Sequence, residues 1–66
     1  MDPTSLRYMA NQIARNFAIQ GEEEAIEATA EHLKLFWDPR MKAAICTEDP
    51  DALCPIARAA VAQLAG

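Results

Sequence analysis

Three times in this chain an aspartate stands directly before a proline, at residues 2–3, 38–39 and 49–50. Proline has no amide hydrogen and a fixed φ, so it suits the first turn of a helix. The carboxylate before it can accept the exposed amides of that turn. Proline also disfavours helical geometry in the residue that precedes it, so each pair both ends one segment and starts the next. The chain is thereby cut into short helical pieces. Pro55 cannot sit undisturbed inside a helix, so a turn is expected over 50–53 and the last helix from about 55.

Between these marks apolar residues recur at steps of three and four. Leu6, Met9, Ala10, Ile13 and Phe17 predict an amphipathic helix over about 3–19, ended by Gln20-Gly21, where glycine accepts backbone angles that other residues resist. Glu22, Glu23 and Glu24 then open a second helix over about 22–37, where first-turn carboxylates meet the positive end of the dipole. Ile26, Ala30, Leu33 and Trp37 fall within about 60° of one another on its wheel, with Thr29 and Phe36 on the flank. A third helix over 39–46 turns Met41, Ala44 and Ile45 inward. Leu53, Ala57, Ala60, Val61 and Leu64 form the stripe of a fourth over 55–65. Nothing alternates with period two. The expectation is an all-α fold, one small domain over 1–66 built as a bundle of three to four short helices with no β-sheet.

A chain of 66 residues buries only about 60% of the surface it exposes unfolded, so a partner would add materially to its stability. With 52% hydrophobic and 24% charged residues it lies in the range of folded domains. Net charge −4 with no basic block gives no means of neutralising phosphates, which argues against nucleic acid. No apolar run approaches the roughly 20 residues of a membrane span, and Met1-Asp2-Pro3 does not begin a signal sequence. The chain is expected to work in the cytoplasm without a membrane.

Resources for catalysis are few. His32 is the only histidine, so one chain cannot build a two-histidine metal site, and a nucleophile pair would have to bring His32 onto Cys46 or Cys54. Those cysteines, with seven residues between them, match neither a zinc pair nor a dense disulfide framework, and are expected to be free thiols. Gly21 and Gly66 are the only glycines, too few for a phosphate-cradling loop. No catalytic, cofactor or metal residue is assigned. Surface features say more. Tyr8 and Ile19 project away from the Leu6 stripe, and Leu35 and Ala28 lie roughly opposite Ile26, so two helices are apolar on both sides. Trp, Tyr and Arg carry much of the energy of protein interfaces. The wheel makes Trp37 a core anchor and leaves Leu35 and Arg40 facing outward, with Phe36 on the border between the two sides.

Two segments together, Met9-Ala10-Asn11-Gln12-Ile13-Ala14 and His32-Leu33 followed by Phe36-Trp37-Asp38-Pro39-Arg40-Met41, make the chain resemble the small delta subunit of NAD-dependent, molybdenum-containing formate dehydrogenases. The likeness runs from about Leu6 to Val61, and 36–41 is its most specific part. Asn16, Lys42 and Cys54 depart from the pattern, and the last departure argues against a role for Cys54. The resemblance implies a non-catalytic accessory subunit of a cytoplasmic oxidoreductase complex, with no cofactor of its own. Partner subunits would carry the molybdopterin cofactor, iron–sulfur clusters and flavin. It implies docking on the catalytic large subunit and support of its assembly or stability. The residues expected to meet that subunit are Asn11, Gln12, Leu35, Phe36, Asp38, Arg40 and Met41. The alternative is a free-standing helical regulatory protein that self-associates through the same faces, a homodimer being one state open to the isolated chain.

Overall fold

A computed structural model describes residues 3–65, with side chains from Ser5. It contains four α-helices: α1 (Pro3–Phe17), α2 (Glu22–Phe36), α3 (Pro39–Cys46) and α4 (Pro55–Ala65). Tight 3₁₀ turns lie at Ala18–Gln20 and Pro50–Ala52, and there is no strand among the described residues. The expected cap at Asp2 lies outside the described residues. The radius of gyration is 10.4 Å, against about 11 Å for a folded chain of this length, so the short helices close into one bundle.

The boundaries follow the punctuation. α1 stops two residues earlier than periodicity alone predicts, because the chain tightens into a 3₁₀ turn closed by the Gly21 amide donating to the Ala18 carbonyl at 3.1 Å. Gly21 has φ +102° and ψ 156°, an extended positive-φ conformation open in practice only to glycine, rather than the left-handed helical one. Its own carbonyl accepts the Ala25 amide at 2.8 Å and so starts α2. α2 ends at Phe36, and Trp37 leaves it in extended backbone (φ −90°, ψ 136°) while its amide still reaches the Leu33 carbonyl. Asp38 caps α3 by accepting the Met41 amide at 2.9 Å, with Pro39 in the first turn. Asp49 caps the second 3₁₀ turn in the same way, through the Asp51 amide.

α1 and α4 each touch the other three helices, whereas α2 packs on α1 and α4, and α3 on the same two. The bundle therefore runs α1–α2–α4–α3 around its circumference. Leu6, Leu33, Trp37, Ile45, Leu53 and Val61 fill its interior, and Ala10, Ala14 and Ala57 let the backbones approach. The expected stripes of α2, α3 and α4 supply most of these side chains. On α1 the stripe is rotated: Ala14 is fully buried and Met9 is exposed, where Met9 was expected inward. α1 leans on both α2 and α4, and that double contact shifts its buried line toward Ala10 and Ala14.

Side chains brace the two later connections. Arg7 forms an ion pair with Glu48 at 2.8 Å, Lys42 donates to the Lys34 carbonyl at the end of α2, and Arg58 donates to the Pro50 and Leu53 carbonyls. One group in the interior is left over. Thr29 is 0% exposed on α2 and its hydroxyl has no hydrogen-bond partner among the described residues. An orphaned buried hydroxyl opposes folding, and valine keeps the shape without it. Thr29→Val is expected to raise stability by about 1 kcal/mol, or about 4–8 °C in the melting temperature of a chain this size. A melting temperature that stays put or falls would show that the hydroxyl is satisfied in solution.

Candidate docking corner

The segment from Leu35 to Met41 is where α2 gives way to α3, and its side chains divide cleanly. Trp37 is 5% exposed and lies in the core cluster, which fixes the corner from beneath. Leu35 at 66% and Phe36 at 72% exposure point outward. The flank position that the wheel gave Phe36 thus resolves to the solvent side, because α2 ends there and no helix covers it.

Phe36 is not isolated. Its ring centroid lies 4.8 Å from that of His32, one turn earlier on α2, and His32 in turn meets Phe17 edge-on at 6.4 Å. This row of three rings crosses from α1 to α2 and holds Phe36 in place from one side. The ring neighbours of His32 are therefore phenylalanines. Cys46 is exposed at the end of α3, and Cys54 is half-buried where α4 begins; both are free thiols.

Asp38, Arg40 and Met41 line a groove of about 350 Å³ between α1 and α3, together with Leu6 and Ala44. Its wall is apolar where Met41, Leu6 and Ala44 contribute and ionic at Arg40. Arg40 is exposed and makes no ion pair or side-chain hydrogen bond among the described residues. The Asp38 carboxylate is engaged as the α3 cap, so the Arg40 guanidinium is the charged group of this groove that has no partner among the described residues. Leu35 is not part of this groove. It lines a separate one between α2 and α4.

Asn11 and Gln12, adjacent in sequence, have different surroundings. Asn11 is half-buried and its amide is occupied within the chain: Oδ1 accepts the Cys54 amide at 2.9 Å, and Nδ2 donates to the Ala52 carbonyl at 3.3 Å. The backbone groups it satisfies belong to the turn before α4 rather than to another protein. Gln12 is exposed on α1 and lines neither groove. Among the described residues no group of three or more His, Cys, Asp or Glu side chains could hold a metal ion, and no helix is long and apolar enough to cross a membrane.

On this small all-α bundle, exposed Leu35 and Phe36 at the end of α2 and, past the Asp38-Pro39 boundary, a guanidinium with no ion pair among the described residues are the features an interface could use. The chain belongs to the family described as the NADH-dependent formate dehydrogenase delta subunit, FdsD, whose family model matches residues 5–61. Membership implies association with the formate dehydrogenase complex. No curated relative and no solved structure matches the chain.

Proposed function

We propose that this chain is a non-catalytic accessory subunit that docks on the molybdenum-containing catalytic subunit of a cytoplasmic, NAD-dependent formate dehydrogenase and supports assembly or stability of the active complex. The molybdopterin cofactor, iron–sulfur clusters and flavin then belong to the other subunits. The corner carries this reading: Phe36 is 72% exposed at the end of α2, and Arg40, just past the Asp38-Pro39 boundary that the buried Trp37 anchors, makes no ion pair among the described residues. Exposed phenylalanine costs solubility unless something covers it, and a planar guanidinium can bind a carboxylate or carbonyl through several donors at once. Met41 and the rim at Asp38 extend the same surface, and Gln12 offers an amide further along α1.

The test is co-expression with a tagged large subunit. Arg40→Ala is expected to leave the melting curve of the isolated chain within about 0.5 kcal/mol of wild type, as for other exposed sites. Its retention by the large subunit should fall about tenfold, and Phe36→Ser should do the same. A complex that assembles and reaches full formate oxidation without this chain would overturn the proposal. A wild-type chain that forms only homodimers and leaves the tagged subunit unbound would favour the self-associating alternative.

A further inference from the structure

The groove between α2 and α4 lies across the bundle from the Arg40 groove, since the helices run α1–α2–α4–α3 around the circumference. It has a volume of about 370 Å³ and an apolar floor of Ala30, Leu35 and Leu64, with Glu27 and Glu31 on its rim and Lys34 near the Leu35 end. Its apolar character is greatest at Leu35, which the fold leaves uncovered.

The rim charges are not explained by folding. Glu22, Glu23 and Glu24 sit in the first turn of α2, where the dipole favours them. Glu27 and Glu31 lie beyond that turn, and with Glu23 they repeat at intervals of four, a spacing at which like charges repel along a helix. All three are exposed, and none forms an ion pair among the described residues. An apolar groove between two helices with an uncompensated acidic rim is complementary to a third helix that is apolar on one side and basic beside it. A second copy of this chain is a poor occupant. A two-fold contact through this groove would set Glu27 and Glu31 of both copies near one another, in a molecule of net charge −4.

We propose that the α2–α4 groove receives a basic amphipathic helix of the formate dehydrogenase complex, making the chain a brace gripped on two opposite sides. This rests on the docking role proposed above but uses different residues. Lys or Arg side chains of the incoming helix lie over Glu27 and Glu31, its apolar side chains enter against Ala30, Leu35 and Leu64, and its end near Lys34 is acidic or polar.

The experiment is charge reversal in the full chain, Glu27→Lys with Glu31→Lys, co-expressed with the tagged complex alongside Arg40→Ala. The doubly reversed chain is expected to be retained at least about tenfold less well, with Glu27→Gln/Glu31→Gln showing a smaller loss. Its melting temperature should stay close to wild type, because the pair at 23 and 27 becomes attractive while that at 27 and 31 stays like-charged and 31 now faces Lys34. The Gln pair reports on the groove should the Lys pair fail to fold. Retention of wild-type chain should fall as salt rises, and that of the Gln pair less steeply. A photo-reactive benzoylphenylalanine in place of Gln63, beside the groove, should cross-link to a basic, apolar peptide of the complex. Undiminished retention of both charge variants, or a cross-link to an acidic peptide or to a second copy, would overturn the inference. Should Arg40→Ala alone release the chain, the groove proposal fails and the docking role stands. Should charge reversal alone release it, the groove stands and the Arg40 corner fails.

Discussion

Replacing Trp37 with alanine is expected to lower the stability of the isolated chain by about 3–5 kcal/mol, the usual cost of deleting a large aromatic side chain from a packed interior. For a domain of this size that is most of the stability available. Much of the chain should therefore be unfolded at room temperature, visible as lost helical ellipticity and an early urea transition. The size of the effect follows from position. Trp37 sits at the junction of α2 and the α3 cap, among a core whose other members are mostly alanine and single-branched aliphatics, so no neighbour can collapse into the space it leaves. α3 has only eight residues and is too short to persist alone, so loss of its anchor should release it first. Trp37→Phe would restore part of the loss. If Trp37→Ala melts like wild type while its binding to the large subunit disappears, the indole is a contact residue and the division of the corner into buried Trp37 and exposed Phe36 is wrong.

That division was largely legible in the sequence, for a local reason. Asp-Pro pairs, the single mid-chain glycine and the first-turn glutamates act within a few residues of themselves, so helix limits could be placed to within one or two positions. Periodicity found Ala30, Leu33 and Trp37 on α2 and Ala57, Ala60 and Val61 on α4, although on α2 Ile26 is only half-buried while Ala25, one residue earlier, is fully buried. α1 shows where such reasoning stops. Met9 and Ala14 lie at opposite edges of its apolar stripe, and which edge is covered depends on how α1 crosses α2 and α4, a non-local matter. Phe36 was ambiguous because the end of a helix, unlike its middle, need not be covered by the next element. The two grooves were invisible, since each needs the order of helices around the bundle. The family resemblance, by contrast, was carried by a handful of side chains at 36–41 and did not depend on knowing any of this.

Asn11 is the residue whose expected role changes most once the fold is known, and its substitution separates two functions that look alike in sequence. An amide on the polar side of α1, beside Gln12, fits a partner's backbone as well as its own. The structure gives it the chain's own: the Cys54 amide and Ala52 carbonyl, 43 and 41 residues away, are both satisfied by this one side chain. Those two groups flank the point where the chain leaves the Pro50–Ala52 turn and enters α4 at Pro55. The Cys54 amide stands at the N-terminal end of α4, where no preceding turn of helix offers it a carbonyl. Asn11→Ala strands a donor and an acceptor that are partly buried, at about 1–3 kcal/mol for each such group. Since both are only partly shielded, a total of about 2–3 kcal/mol is expected, measured as a shift of the urea midpoint with unchanged slope. Asn11→Asp makes the argument sharper. A carboxylate still accepts the Cys54 amide but presents an oxygen, with no hydrogen to donate, to the Ala52 carbonyl, so it should rescue little and relieve nothing at that contact. A residue serving only a partner would behave in the opposite way, with melting unchanged in both variants and binding lost. Binding lost in step with stability, and recovered when the variant is stabilised by Thr29→Val, would mean that Asn11 acts on the complex by holding α4, and with it the wall of the α2–α4 groove, in place.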